Sequence, residues 1–241
     1  LYVVATPIGN MGDMTARAVE VLSLADVIAC EDTRVTAKLL RHHGLKTPLE
    51  RYDEHSAPRN RPKLLARLGA GEVVALVSDA GTPLVSDPGY KLVREAIDQG
   101  INVFPVPGAS SVMAALAVSG LPTDRFMFAG FLPPKSGRRR AALTDLSGID
   151  ATLIILESPR RLAAALADMA AVLGPRPTAV ARELTKLYEE VRRGSLADLA
   201  ADYADQETPK GEIVIIVGPP SENEGSQFDV DELLREALTD H

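Results

Sequence analysis

Two adjacent acidic residues, Glu31 and Asp32, have the chemistry and the placement of a proton acceptor. They follow a short apolar run, residues 27–30, whose side chains predict a buried strand. Two carboxylates held close together raise the pKa of one of them, and such a carboxylate can act as a general base. The alternative is that Asp32 or Thr33 caps the helix that follows, which would make the pair structural.

Three stretches rich in glycine, proline and hydroxyl side chains each follow a predicted strand, and they span residues 5–14, 78–89 and 107–111. Glycine lets a backbone turn sharply and approach a ligand closely, and the unpaired N–H groups at a helix start bind polar atoms. In an open α/β sheet, ligands bind outside the carboxyl ends of the strands. Each stretch alone is explained by a tight turn, but three in one half of the chain predict a small-molecule site.

Several common site motifs are missing from the sequence. No phosphate-binding loop ending in Gly-Lys-Ser/Thr occurs, and Gly69 and Gly71 precede a predicted strand instead of following one. The adjacent His42 and His43 would point to different faces of a helix, so they make a poor metal site. The single cysteine, Cys30, excludes an internal disulfide and a multi-cysteine metal site. We therefore expect no metal and a cytoplasmic protein.

The formal net charge of −7 argues against a nucleic-acid partner, but the basic residues are clustered. Residues 34–67 carry nine lysines and arginines against three acids. A second basic group lies in residues 135–140, which are predicted to form a loop because two prolines precede them and a glycine interrupts them. Such clusters predict phosphate-binding surfaces even on an acidic protein, and the alternative is that they are solvated helix faces.

Short β-branched runs alternate with amphipathic stretches, which is typical of an α/β protein with a largely parallel sheet. After a break at residues 119–123 the predicted strands lie closer together, which favours a mixed sheet in the second half. We therefore expect an α/β domain at 1–122, a second α/β domain at 123–219 and an acidic tail at 220–241. No apolar run approaches the roughly 18 residues that a membrane span needs, so no membrane association is expected.

The individual elements follow from these patterns. The expected strands span residues 2–5, 27–30, 73–77, 103–106, 126–130, 152–156, 178–182, 187–193 and 213–217. The expected helices, the first of them capped by Thr15, span residues 15–25, 35–43, 90–99, 111–119, 160–173, 195–203 and 229–238.

The loop motifs together resemble a known family. Residues 6–10, 31–34, 78–89 and 107–111 are similar, in order and spacing, to the motifs of the tetrapyrrole methylase superfamily. Four further motifs, at residues 131–135, 157–160, 182–186 and 210–212, resemble its ribosomal small-subunit methyltransferase I branch. The resemblance covers about residues 1–219. One departure is Arg160, which stands where many members of that branch have histidine.

The resemblance implies a two-domain class III methyltransferase fold, a homodimer and S-adenosylmethionine as the methyl donor. For the ribosomal branch it implies transfer to the 2′-hydroxyl of a cytidine in 16S ribosomal RNA, within the 30S subunit. The alternative is a member that methylates a tetrapyrrole or another small molecule. A tetrapyrrole substrate would require an apolar binding site lined by aromatic side chains. With five Phe and five Tyr, the chain has few residues to form one.

These considerations assign candidate residues to each role. The cofactor candidates, which the resemblance implies, combine backbone groups, hydroxyls and apolar side chains: Pro7, Gly81, Thr82, Val85, Ser110, Ser111, Leu156, Ala181, Arg182 and Val214. The catalytic candidates are Glu31, Asp32 and Lys186, and the pKa of the hydroxyl would be lowered by Lys186 or, alternatively, by Lys135. The RNA-binding candidates are all basic: Arg34, Lys135, Arg138, Arg139 and Arg140.

Overall fold

The computed structural model describes residues 1–220 in two compact units, one formed by Leu1–Ser111 and the other beginning at Val112. The sequence places the domain boundary after residue 122. The structure divides the chain at the start of helix α5 (Ser111–Ser119) instead of beyond its end. The expected tail, apart from Pro220, and its helix at 229–238 lie outside the described residues.

The first unit is built on five short strands: β1 (Tyr2–Val4), β2 (Val27–Cys30), β3 (Leu49–Arg51), β4 (Val74–Leu76) and β5 (Phe104–Val106). They form one parallel sheet in the order β3-β2-β4-β1-β5. The sequence predicts all of them except β3, because its three residues show no apolar alternation. Since all five strands run the same way, their carboxyl ends share one edge of the sheet.

Four helices cover both faces of this sheet: α1 (Ala16–Leu24), α2 (Thr33–His42), α3 (Ala57–Gly69) and α4 (Tyr90–Asp98). Along β2, Val27 and Ala29 pack with leucines of α3 and α4, whereas Ile28 and Cys30 pack with leucines of α1 and α2. Because successive strand residues point to opposite faces, α1 and α2 lie on one face and α3 and α4 on the other. Helix α3 was not among the predicted helices, since Pro62 interrupts its pattern.

The second unit contains the strands β6 (Phe126–Phe131), β7 (Thr152–Glu157), β8 (Pro177–Arg182), β9 (Glu190–Ser195) and β10 (Ile213–Val217). Their order is β6-β7-β10-β8-β9, and only β6 and β7 are parallel neighbours. Helices α6 (Ser136–Ser147), α7 (Leu162–Leu173) and α8 (Leu196–Ala204) pack on one face around the buried Leu166 and Met169. The expected parallel first sheet and mixed second sheet are confirmed.

The prediction of a loop at residues 135–140 is wrong, because Ser136 begins helix α6. The two prolines lie just before the helix, where they leave its hydrogen bonds intact. Arg139 is turned into the unit and is buried, with its guanidinium 2.6 Å from the Asp168 carboxylate on α7. Proline and glycine therefore marked the start of a helix here, and the buried ion pair fixes its orientation.

Candidate active site

The three glycine-rich loops meet at the carboxyl edge of the first sheet. Thr6 and Gly81 exchange two backbone hydrogen bonds, of 2.9 and 3.0 Å between nitrogen and oxygen. The hydroxyl of Thr82 donates to the carbonyl of Ala109 at 3.3 Å. The loops after β1, β4 and β5 are thus joined into one surface, and it contains the cofactor candidates of this unit: Pro7, Gly81, Thr82, Val85, Ser110 and Ser111.

Close approach of these loops requires glycine at two positions. Gly81 has a φ of +79°, and a Cβ there would lie 3.3 Å from Cγ2 of Ile8. A Cβ on Gly108 would lie 3.0 Å from that of Ala5. In the same region Leu84 and Ser86 adopt φ angles of 73° and 62°, which non-glycine residues rarely adopt. Such backbone strain persists only where the surrounding structure holds it in place, and it is common at ligand sites. The strain in the β4–α4 loop is therefore consistent with a ligand site.

A cleft of about 690 Å³ opens at the same edge of the first unit. Its lining is strongly acidic and includes Glu31, one of the two residues predicted as a proton acceptor. The other lining residues are Asp32, Arg51, Asp53, Glu54, His55, Asp79, Leu84, Ser86, Asp87 and Pro88. Six carboxyl groups therefore face one space that contains a single arginine, which makes the cleft repulsive toward anions.

Glu31 and Asp32 have different roles in this cleft. The Asp32 carboxylate caps α2 by accepting the backbone N–H of Arg34 at 2.8 Å, and it also binds the Arg34 guanidinium. These hydrogen bonds hold the pKa of Asp32 well below its usual range. The capping alternative is therefore confirmed for Asp32. Partial burial raises the pKa of Glu31, and the nearby carboxylates, Asp79 first among them, raise it further.

Several residues beside Glu31 were missed by sequence reasoning. The Asp79 carboxylate accepts the backbone N–H of Asp32 at 3.0 Å and so links the ends of β2 and β4. Asp53 accepts the backbone N–H of Ser56 at 2.7 Å and pairs with Arg51, and these contacts lower its pKa to about 2. The signal that could have located Asp53 is the Asp-x-x-Ser spacing before Pro58, which is typical of a helix start.

The cofactor candidates of the second unit form a row across its sheet. Val214 on β10 pairs with Leu156 on β7 and with Ala181 on β8. Residues paired in register share a face, and the alternate residues Ile213 and Ile215 belong to the core under the helices. The row therefore lies on the face away from α6, α7 and α8, and it is apolar throughout. This character suits an uncharged aromatic ring.

Arg182 and Lys186, next to this row, are held by carboxylates. Arg182 pairs with Glu190 at 3.1 Å. The Lys186 ammonium lies 2.8 Å from Glu183 and 3.0 Å from Glu212. Partial burial alone would lower the pKa of Lys186, but the hydrogen bonds to both glutamates outweigh it and the pKa is raised. Because two glutamates neutralise the Lys186 ammonium, we expect Lys186 to stabilise the β8–β9 turn and not to act at the reacting hydroxyl.

The basic candidates divide into exposed and buried residues. Arg34 is open to solvent, with 86% of its side chain exposed. Lys135, Arg138 and Arg140 are exposed on or beside α6, whereas Arg139 is buried against Asp168. Arg139 therefore does not belong with the phosphate-binding candidates.

Residues 1–220 contain neither a metal-binding cluster nor a membrane-spanning helix. Among residues 1–220, no cluster of three or more His, Cys, Asp or Glu side chains has the geometry to hold a metal ion. Within the same range, no helix combines the length and the apolar character needed to cross a bilayer.

Ligand loops at the edge of a parallel sheet, followed by a second unit with a mixed sheet, define a two-unit α/β class of enzyme. Comparison with protein families identifies which family of this class the chain belongs to. The chain belongs to the Tetrapyrrole (Corrin/Porphyrin) Methylases, whose family model matches residues 1–200.

Curated relatives are similar over nearly the whole chain. A ribosomal RNA small subunit methyltransferase I from Mesorhizobium japonicum is 56% identical over 235 residues, which cover 97% of this chain and 80% of the relative. A protein of the same name from Synechocystis sp. is 48% identical, covering 99% of this chain and 85% of the relative.

Solved structures support the fold. Diphthine synthase matches with a TM-score of 0.68 at 16% identity, covering 90% of this chain and 88% of that one. The uroporphyrin-III-C-methyltransferase from Thermus thermophilus matches with a TM-score of 0.63 at 23% identity, covering 90% and 93%. At these identities the likeness concerns the fold alone.

Proposed function

We propose that this chain transfers a methyl group from S-adenosylmethionine to the 2′-hydroxyl of a cytidine in 16S ribosomal RNA. The observation that carries the proposal is the identity of 56% over 97% of the chain to a relative named ribosomal RNA small subunit methyltransferase I. The joined loops and the acidic cleft of the first unit are compatible with this activity, because they offer a cradle for a small molecule and a carboxylate of raised pKa.

The residues present fit S-adenosylmethionine. The apolar row Leu156, Val214 and Ala181 of the second unit, taken by itself, has the chemistry that suits the uncharged adenosine. The amino-acid end of the methionine part of S-adenosylmethionine carries an ammonium and a carboxylate, for which the joined loops offer backbone amides and the hydroxyls of Thr82 and Ser110. Gly81 and Gly108 keep these loops free of side chains that would fill the cradle.

S-adenosylmethionine supplies the activated methyl group when it is bound. The protein must then align the ribose hydroxyl with that methyl group and accept the hydroxyl proton. Positioning alone can contribute roughly 7–11 kcal/mol in favourable cases. We assign proton acceptance to Glu31, because its raised pKa makes it a stronger base than an ordinary glutamate. A positioned base contributes about 10²–10⁴-fold. Asp32 and Asp79 orient the strand end on which Glu31 lies.

The proposal extends to the setting of the reaction. A homodimer is supported by α5, where Met113 and Val118 expose 51% and 40% of their surface although the helix is apolar on most sides. The assembled 30S subunit as substrate and a cytoplasmic location are part of the same proposal, since both accompany ribosomal RNA methylation.

A tetrapyrrole substrate is less well supported than RNA. The six carboxyl groups of the cleft would repel the acidic side chains that many such rings carry. The likeness to the uroporphyrin-III-C-methyltransferase is at 23% identity and concerns the fold.

The test uses S-adenosylmethionine with a radiolabelled methyl group and three acceptors: 30S subunits, naked 16S ribosomal RNA and uroporphyrinogen. The proposal predicts label in ribosomal RNA in at least one of the first two reactions and none in the tetrapyrrole. Label in uroporphyrinogen alone would show that the substrate is a tetrapyrrole and not ribosomal RNA.

A further inference from the structure

Helix α2 carries a stripe of three exposed basic side chains, Arg34, Lys38 and Arg41. They are spaced i, i+4 and i+7, which places them on one side of the helix. The opposite side is buried through Thr36, Leu39 and Leu40, so the stripe faces solvent. From Arg34 to Arg41 the helix rises by roughly 10 Å, a span over which flexible basic side chains can contact successive phosphates.

Two of the three cations lack a carboxylate partner. Within residues 1–220, neither Lys38 nor Arg41 forms an ion pair. Some other basic residues of the unit are neutralised, for example Arg61 by Glu95 at 2.9 Å and Arg67 by Glu72 at 2.6 Å. The stripe therefore keeps a positive charge that its surroundings do not cancel, and exposed charge of this kind attracts polyanions.

The stripe begins where the acidic cleft ends. Asp32, which lines the cleft, caps α2 and holds the Arg34 guanidinium with contacts of 2.6 and 3.0 Å. On one side of this pair lies a space with six carboxyl groups, and on the other lies the basic stripe. A phosphate is repelled by the first and attracted by the second, whereas a ribose, being uncharged, can enter the cleft.

We propose that the α2 stripe binds the phosphates of the RNA strand and so presents a ribose, not a phosphate, to the acidic cleft. This inference rests on the proposed function, since it concerns how the same RNA is held. The opposite charges of cleft and helix set the register of the strand: the phosphates lie along Lys38 and Arg41, and Arg34, fixed by Asp32, marks the boundary.

The test compares two double variants with the same change in charge. Lys38→Ala/Arg41→Ala removes the unpaired cations of the stripe. The control, Arg59→Ala/Lys63→Ala, removes two exposed cations from α3 on the other face of the sheet. Binding of 16S ribosomal RNA is measured from about 50 to 200 mM salt, together with the KM and kcat for methylation and the affinity for S-adenosylmethionine. Circular dichroism checks that both variants fold.

We expect the stripe variant to bind RNA about tenfold more weakly and to lower the salt slope by about 1.4–1.8, the loss of two phosphate contacts. Its KM for RNA should rise while kcat and the affinity for S-adenosylmethionine hold, and Lys38→Arg/Arg41→Lys should restore the slope. A stripe variant that matches the α3 control in slope and KM, while the wild type methylates RNA, overturns the inference and leaves the function standing. A wild type that does not methylate ribosomal RNA overturns both.

Discussion

The backbones of Thr6 and Gly81 exchange two hydrogen bonds, of 2.9 and 3.0 Å, across the carboxyl edge of the first sheet. The two residues are far apart in sequence but belong to loops that follow neighbouring strands, β1 and β4. Gly81 has a φ of +79°, and a Cβ on this residue would lie 3.3 Å from Cγ2 of Ile8. The cofactor cradle that we propose therefore depends on a position where a side chain is both strained and crowded.

Gly81→Ala is expected to weaken binding of S-adenosylmethionine at least tenfold, because the added methyl group pushes against Ile8 and displaces the joined loops. Isothermal titration calorimetry measures the affinity. The matched control is Gly71→Ala, which has a similar φ of +88° but no neighbour within 4 Å of its Cβ. Both variants should lose about 1 kcal/mol of stability from the strained backbone, and only Gly81→Ala should lose the cofactor. Equal cofactor affinity in the two folded variants would remove the loop from the site.

Glu31→Gln is expected to lower kcat by about 10²-fold or more, since it removes the proposed proton acceptor. The carboxylate must be ionised to act, so wild-type kcat should fall as the pH falls through the pKa of Glu31, which burial and the neighbouring carboxylates raise. Glu31→Gln should abolish that limb of the profile. Because burial and the neighbouring carboxylates disfavour ionised Glu31, the variant should also melt at a higher temperature than the wild type at neutral pH.

Asp32→Ala provides the contrast to this variant. It removes the cap of α2, which should cost about 1 kcal/mol of stability. Its kcat, measured well below the melting temperature, should fall less than that of Glu31→Gln. The reverse order of the two effects would transfer the role of base to Asp32.

Strands β1, β2, β4 and β5 of the first unit could be predicted because each is a short apolar run, which is a local signal. Strand β3 and the β3–α3 loop were not predicted. Leu49–Arg51 is held in place by pairing with β2, and no local sequence pattern indicates that contact. The cleft residues Asp53 and Asp79 were not predicted for the same reason, because only the fold brings them near Glu31. In the second unit, Arg139 was misjudged because its partner, Asp168, lies on another helix.

Arg139→Ala is expected to destabilise the protein by about 3–5 kcal/mol, because it leaves the Asp168 carboxylate largely buried without its partner. Thermal or chemical denaturation measures this loss. Arg138→Ala/Arg140→Ala removes exposed charges from the same helix and should cost less than about 1 kcal/mol while flattening the salt dependence of RNA binding. An Arg139→Ala protein as stable as the wild type would show that the ion pair does not fix α6.

Sedimentation at micromolar concentration is expected to give about twice the 25.7 kDa of one chain, as the proposed homodimer requires. Met113→Glu/Val118→Glu places two charges on the exposed side of α5 and should shift the protein toward the monomer. A wild type that sediments as a monomer at this concentration would argue against the dimer. A dimer unaffected by the double variant would move the interface away from α5.

The alkali resistance of the product shows whether the methyl group has been transferred to a ribose oxygen. Alkali cleaves RNA through attack of the 2′-oxygen on the neighbouring phosphate, so a 2′-O-methyl group protects one linkage. 16S ribosomal RNA from 30S subunits treated with the enzyme and S-adenosylmethionine is hydrolysed and the surviving dinucleotide is sequenced. We expect one protected linkage that follows a cytidine, and we expect it to be absent when Glu31→Gln is used for the same time. Label incorporated into RNA that alkali degrades completely to mononucleotides would place the methyl group on a base and contradict the account.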